Sequence, residues 1–549
     1  MRSDRAPKAA LRLCDWRFLL PTPEGGVFEH LILLGAPQGL GETILKAEIA
    51  RRVSEDVPPE RCADALIVLR RSNAPIEQAA QCLRPDGVLY WEIDRRRFQR
   101  WFLAVGGAFR SARAAGLSPM SAYWVRPGFG NPQVYLPLGE DSALRWYLRN
   151  LYTATTFGQR TIEVLLRLSW ALGVGLRERL IPAFALTAVH GTERKAPSII
   201  GHPNLHRDLW RSVRRPRGSG RLSDLEVLLL TGGRDDWNRV VAMPFPIGGS
   251  DPLAVLKLSR VSDRNVHTEK EQRVLSEIRG AVDAEMRRTL PEGFGTFSWK
   301  GLTVGMESYL SGRLLAATSV RWGYSLSRKI DDLNLAVQWL IEFHRQTELR
   351  RPPWGDPELA SWTIGALDRY EEVFGLTPSE RKLFDGIRQR YRELAGSSFP
   401  IVWYHYAFST WNINRQNNDI GAFDWESADR GPALFDLIYL VFRWNQELGH
   451  WRGKGGPLRA CRELFLTAPN GHPAARAIQK AIQRYHAALD LDGRAFPVAL
   501  VSLWSFHAIT RAERARSLSH AGADVRRENT YVSCLGVLAE DPDALFRLW

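Results

Sequence analysis

Residues Ile401–Trp444 read IVWYHYAFSTWNINRQNNDIGAFDWESADRGPALFDLIYLVFRW. The apolar opening, IVWY, predicts a strand, and the polar loop after it ends at Asn412 and Ile413. A turn through Asn417–Asp419 sends the chain back as IGAFDWE, and that return places Asp424 beside the first loop. An Asn amide and an Asp carboxylate converging on one loop mouth are hard oxygen ligands suited to Mg²⁺, which keeps waters and phosphate oxygens in its other positions. GPALFDLIYLVF then predicts a long apolar helix that buries this platform from below.

Upstream, LEVLLLTGGRDDWNRVVAMPFPIGG (residues 225–249) predicts strand, turn, strand, with Gly232 and Gly233 in the first turn. DPLAVLKLSRV comes next as a third strand in which Lys257 has apolar neighbours on both sides. A lysine in such a strand needs a partner for its charge. HTEKEQRVLSEIRG predicts a helix with Val274, Leu275 and Ile278 on one face and Glu271 near its start. Glu271 is a natural partner for Lys257, as in the kinase pair that orients the phosphates of ATP; taken alone, the two also read as a surface ion pair.

Together these segments resemble the aminoglycoside and choline phosphotransferase family, a kinase-like fold whose catalytic segment reads HGDFxxWNI, with a later DWE and G-P-x-x-DL. The match runs over most of residues 222 to about 520. The resemblance implies that Lys257 holds the nucleotide phosphates with Glu271 as its helix partner, and that Gly232 and Gly233 lie in the cofactor-binding part. It makes Glu307 to Gly312 (ESYLSG) the hinge before an ATP adenine pocket, and His344 in WLIEFHRQ a structural histidine. His405 becomes the first residue of the catalytic segment, Asn412 and Asp424 the metal ligands, and Asp436 the acid that braces the loop from its helix. The sequence departs from the family at one place that matters for chemistry. The catalytic aspartate falls at Ala407, and the preceding glycine is Tyr406. That aspartate accepts the proton of the attacking hydroxyl, which alanine cannot do. His405, Asp429 and Glu426 are the groups that could stand in, and both an unusual kinase and a pseudokinase are open.

The N-terminal part has a different rhythm. HLILLG (His30–Gly35) predicts a strand ending in glycine, and Leu40, Ile44, Leu45 and Ile49 then recur at helical spacing. ADALIVLRRS and the run Val88–Ile93 in LRPDGVLYWEID predict further strands, so strands alternate with helices and imply a parallel α/β sheet. Gly35, Gly39 and Gly41 could let backbone approach a nucleotide-like cofactor, with Glu55 or Asp56 on its ribose, although the spacing is GxxxGxG. DWRFLLPTP, the turn at Gly35, LRPDGVLYWEID and AAGLSPMSAYWVRP (Ala114–Pro127) resemble a class I S-adenosylmethionine-dependent methyltransferase domain. The resemblance covers about 130 residues and implies S-adenosylmethionine as a cofactor at Gly35, but GAPQG stands where a GxGxG loop is expected.

The fold class expected is therefore α/β plus α+β, a Rossmann-like α/β domain fused to a bilobal protein-kinase-like domain. The expected segments are 1–140, a helical and basic connector at 141–221, an N-lobe at 222–312 and a C-lobe at 313–549. The remaining composition narrows the classes. In 549 residues, 74 Lys+Arg stand against 60 Asp+Glu, with 24% charged and 45% hydrophobic residues, which fits a folded globular chain and excludes a disordered or fibrous one. The net charge of +14 raises nucleic acid as a partner, and RDLWRSVRRPRGSGR (residues 207–221) is its densest patch. No zinc-finger, RRM-like or KH-like pattern organises it, so it reads as a linker and nucleic acid is not expected. Cys14, Cys62, Cys82, Cys461 and Cys534 lie far apart without metal-ligand spacing, and the N-terminus has no signal-peptide core, so a reduced, cytoplasmic setting is expected. Ile162–Val189 is interrupted by Arg167, Arg177, Glu178 and Arg179, which leaves a buried helix or a peripheral membrane contact but no spanning segment. The expected partners are ATP, Mg²⁺ and a small-molecule or glycan acceptor, with acceptor selection placed in residues 445–530.

Overall fold

The computed structural model describes residues 7–21, 26–94, 105–139, 141–152, 161, 163–166, 168, 181, 183–191, 225–233, 236–321, 323–450, 456–467, 472–518 and 525–549. The basic tract 207–221 and most of 162–180 lie outside the described residues. The chain forms a mixed α/β protein of two compact units, Met1–Gln272 with Gly293–Tyr309, and Arg273–Glu292 with Leu310–Trp549.

The first unit is built on one sheet of twelve strands. Its strands are β1 (Phe28–Leu34), β2 (Ala50–Ser54), β3 (Ala63–Val68), β4 (Leu83–Asp94), β5 (Leu117–Arg126), β6 (Val134–Pro137), β7 (Ala183–His190), β8 (Leu225–Leu230), β9 (Val240–Pro246), β10 (Val255–Leu258), β11 (Gly293–Trp299) and β12 (Leu302–Glu307). They lie in the order β11-β12-β10-β9-β8-β6-β5-β7-β4-β3-β1-β2. Strands β2, β1, β3 and β4 are parallel, and β7 runs antiparallel between β4 and β5. The parallel strands are apolar on both faces because both are covered: Leu31 and Leu33 enter one core cluster, Ile32 and Leu34 the other. The pairing of β6 with β8, Val134 opposite Leu230, carries the sheet from residues of the expected first segment into the antiparallel strands β8 to β12.

The segment Pro7–Phe18 packs on this sheet, with Trp16 stacked on Tyr90 and Phe18 on Trp299, each at 5.6 Å. Beside Trp16, Asp15 forms an ion pair with Arg260 at 2.7 Å in which both side chains are fully buried.

The second unit is largely helical, with two small sheets, β13-β16-β17 and β14-β15-β18, formed by β13 (Arg313–Leu314), β14 (Glu348–Arg350), β15 (Ile401–Tyr404), β16 (Ile413–Gln416), β17 (Asp419–Ala422) and β18 (Asp429–Pro432). Its core is a single cluster in which Val337, Leu340 and Ile341 of helix Leu326–Gln346 meet Leu437, Ile438 and Val441 of helix Leu434–His450. Among the described residues no helix is long and apolar enough to cross a membrane, and the five cysteines carry no disulfide.

Candidate functional site

In the first unit, β10 lies between β9 and β12, with Lys257 opposite Val241 and Gly305. Gly305 is what lets helix Asn265–Ala281 come down on the sheet: a Cβ there would lie 2.8 Å from Thr268 Cγ2. This approach brings Glu271 to Lys257, Nζ to Oε1 2.6 Å. Arg239, just before β9, donates to the other Glu271 oxygen. Glu307, at the end of β12, lies two residues beyond Gly305 and so shares the sheet face of Lys257, with its Oε1 2.9 Å from Nζ. All four side chains are buried.

The two acids differ in what they meet. Burial alone would raise the Glu271 carboxyl, but Arg239 and Lys257 together hold it down to about 2. Glu307 shares Lys257 and feels Arg239 less; burial, with the neighbouring Glu271 charge, outweighs both and pushes it up to about 7. Its Oε2 has no hydrogen-bond partner among the described residues.

In the second unit, β15 delivers His405, and Asp436 in the first turn of helix Leu434–His450 pins the first two residues of the loop beyond that strand. Its Oδ2 accepts from the His405 backbone N–H at 2.6 Å and its Oδ1 from that of Tyr406 at 3.0 Å. Behind it, His344 Nδ1 donates to the Tyr485 hydroxyl (2.5 Å), whose own proton goes to the Ala433 carbonyl, while His344 Nε2 faces Asp436 at 3.5 Å. The His405 ring is fully buried, and its Nε2–H donates to the Phe423 carbonyl at 2.8 Å. That bond ties the loop to the residue before Asp424. The antiparallel pairing of β16 with β17, Ile413 opposite Ala422, extends to a bond from Phe423 N–H to the Asn412 carbonyl at 3.1 Å, so half-buried Asn412 and Asp424 stand on adjacent, locked segments. Asn412 Nδ2 donates to the Ala407 carbonyl at 3.0 Å. Tyr406 and Asp424 both adopt left-handed backbone, φ +72° and +69°, a conformation that costs most non-glycine residues about 1–3 kcal/mol and persists where its surroundings enforce it.

Among the described residues no three His, Cys, Asp or Glu side chains form a metal cluster. Mg²⁺ does not require one, since it is usually held by one or two protein oxygens with water and phosphate completing the shell. The amide oxygen of Asn412 and the carboxylate of Asp424 are donors of the right kind.

The remaining glycines have structural work. Gly35 has φ +72°, and a Cβ there would lie 2.4 Å from the Ser72 backbone nitrogen, so the loop after β1 rests directly on the loop after β3. The turn at Gly232 and Gly233 is tied to the Asp15–Arg260 pair, since the Gly232 carbonyl accepts from Arg260.

Two contributors escaped the sequence reading, and Glu307, which it named, makes a contact it did not foresee. The sequence places Glu307 in a hinge, whereas its side chain reaches Lys257. Glu447 accepts from Thr410 Oγ1 at 2.6 Å, directly under the loop, and burial raises its carboxyl. His507 packs on Tyr406, Tyr439 and Tyr531 at ring distances of 4.6, 5.2 and 4.9 Å, and burial pushes it down to about 3, so it is a neutral wall behind Tyr406. Its position inside the apolar run WSFHAIT signalled burial, and nothing local in the sequence signalled its partners.

Residues 253–491 match the model of the phosphotransferase enzyme family. No curated protein matches the chain. Solved structures similar to it include the macrolide 2'-phosphotransferase MphH of Brachybacterium faecium, at 15% identity over 61% of this chain and 98% of that one, with a TM-score of 0.36. An ethanolamine kinase of Plasmodium vivax is similar at 12% identity over 66% of this chain and 91% of that one, TM-score 0.36. An amicoumacin kinase in complex with AMP-PNP and Ca²⁺ is similar at 12% identity over 63% of this chain and 95% of that one, TM-score 0.35. By its family match, the C-terminal region of the chain, which carries Lys257, Glu271, Glu307, His405, Asn412, Asp424 and Asp436, is of the phosphotransferase enzyme family.

Proposed function

We propose that the C-terminal region binds Mg-ATP and transfers its terminal phosphoryl group slowly to a hydroxyl of a small molecule or glycan. The observation that carries this reading is the buried Lys257–Glu271 pair inside the region matched to the phosphotransferase family. Lys257 takes the nucleotide phosphates as a fixed cation, and Glu271 keeps its ammonium extended from β10. Mg²⁺, held by Asn412 and Asp424, would offset charge on the phosphate oxygens. Asp436 and His405 hold the loop that presents Asn412. His405 is not the proton acceptor in this reading, because its ring, including the Nδ1 lone pair that would take the proton, is sealed from solvent. With alanine at 407, positioning and charge supply the acceleration, and the contribution of about 10²–10⁴ that a general base makes is missing.

A second reading concerns β1 to β4. In a doubly wound sheet the ligand lies where the strand order reverses, at the carboxyl ends of the strands. Here the order reverses between β1 and β3, and Glu55 directly succeeds β2, its Oε1 4.0 Å from where a Cβ on Gly41 would lie. An acid at that place favours a ribose-bearing cofactor, and the resemblance of this part to methyltransferases makes it S-adenosylmethionine, for a methyltransferase acting on a glycan or metabolite, with the C-terminal region as a non-catalytic binding module.

One experiment tests both. Thermal unfolding of the full chain is followed with Mg-ATP and with S-adenosylmethionine separately, since a ligand at 100 times its Kd stabilises by about 2.7 kcal/mol. The first reading expects a Mg²⁺-dependent rise in Tm with ATP that is lost in Asp424→Asn. No rise with Mg-ATP at millimolar concentration would sink it. The second expects a rise with S-adenosylmethionine, and its absence would remove that reading.

A further inference from the structure

A lysine that is to hold phosphate needs one carboxylate to orient it, and Lys257 has two. Glu271 is already satisfied from its far side by Arg239, so it can keep Lys257 in place without neutralising it. Glu307 adds a second negative charge at 2.9 Å. Lys257, Arg239, Glu271 and Glu307 then sum to zero charge in a buried site, where uncompensated charge is expensive and each ion is held by its partners. Glu307 is also the least settled member of the set, since its Oε2 is buried and has no hydrogen-bond partner among the described residues.

We propose that Glu307 is a positioning residue that competes with nucleotide phosphate for Lys257. The proposal rests on the reading that this region binds nucleotide and adds a control to it. Ionised, Glu307 occupies one side of the Lys257 ammonium and opposes an incoming phosphate. Protonated, it becomes neutral, the set carries a net positive charge, and Lys257 is available.

Among the described residues, the charged groups facing Glu307 are Lys257 from β10, Glu271 from helix Asn265–Ala281 and Arg239 from the chain before β9; across the strand pair on its other side stands Gly293 of β11, which carries none. Burial, with Glu271, puts its ionisation at about 7, against Lys257 and Arg239. Below that pH the proton is on Glu307 and phosphate binds Lys257 unopposed; above it, binding must take up a proton or displace the carboxylate, so affinity falls as pH rises. Phosphate itself ionises near pH 6, so a titration above 7 leaves the nucleotide charge nearly constant.

The test is calorimetry of Mg-ATP on the full chain between pH 7.0 and 8.5, in wild type and Glu307→Gln. The expected result is a wild-type Kd that weakens about tenfold across the window, since linkage to one proton allows at most tenfold per pH unit, and a Glu307→Gln Kd that stays flat and is tighter than wild type at pH 8.5. A wild-type Kd independent of pH, or the same slope in both proteins, overturns the proposal while leaving nucleotide binding intact. No binding by either protein at any pH overturns the nucleotide reading and this one with it. A second readout needs no nucleotide. A carboxyl that ionises near 4.3 when unfolded and about 7 when folded makes the folded state hold the proton more tightly, so wild-type stability must fall as pH rises through that interval. Glu307→Gln must lack that part of the fall, and an identical stability profile in the two proteins overturns the proposal regardless of any ligand.

Discussion

Ala407 presents a methyl group at the one position where the family pattern calls for a proton acceptor. Its surroundings are otherwise arranged for a working loop: its carbonyl is held by Asn412, the preceding Tyr406 is pinned by Asp436 in left-handed backbone, and Tyr406's ring lies against His507. Restoring the acid therefore asks for a side chain and no new backbone. Ala407→Asp is expected to raise phosphoryl transfer from Mg-ATP by about 10²–10⁴-fold, measured as steady-state turnover with a panel of sugars and amino alcohols. An unchanged rate would mean that another group already accepts the proton. The missing acid was legible in the sequence because it is a question of residue type. The role of His405 was not, because it depends on which atom its Nε2 meets, and Phe423 is eighteen residues away.

The turn of the chain from β15 through β16 and β17 into helix Leu434–His450 was readable as a whole. An apolar run, a polar loop, a short turn and a second apolar run can pair only by folding back, and that return sets Asn412 beside Phe423. The energetic centre of this element is Asp436, whose carboxylate is fully buried and accepts from two successive backbone N–H groups. Asp436→Ala would strand both donors in a dry interior. A loss of about 3 kcal/mol or more is expected, since hydrogen bonds to a charged group are worth about 1.5–3 kcal/mol each, and the urea midpoint of the second unit should fall accordingly. If the midpoint moves by less than about 1 kcal/mol equivalent, the carboxylate is not what holds the loop.

At the scale of the molecule, one twelve-stranded sheet carries the first unit. Strands of the α/β rhythm and strands of the antiparallel rhythm lie edge to edge through β6 and β8, and the segment Pro7–Phe18 spans both, contacting Tyr90 through Trp16 and Trp299 through Phe18. Asp15 and Arg260 lock that arrangement across 245 residues of sequence. Arg260 also donates to the Asn238 and Thr231 carbonyls, so the pair is a hub for the strands leading to Lys257. Removing one member of a buried pair leaves the other uncompensated, and Asp15→Ala is expected to destabilise the protein by about 3–5 kcal/mol in chemical denaturation. A loss below about 1 kcal/mol would show that the backbone carbonyls alone satisfy Arg260.

The sequence by itself determined much of the local grammar: the strands around the site, where Lys257, Asn412 and Asp424 fall, and that position 407 lacks its acid. These features rest on periodicity and residue type, which act over a few residues. The sequence did not foresee Ala183–His190, which falls almost wholly in the stretch read as a buried helix and forms β7 within the sheet. Tertiary structure alone decided that Glu307 shares Lys257 with Glu271, that Asp15 pairs with Arg260, that β6 joins β8, and that His507 backs Tyr406. Each of these is a contact across long stretches of chain, selected because a buried charge or ring must find a complementary partner somewhere in the core, and no local pattern says where that partner is.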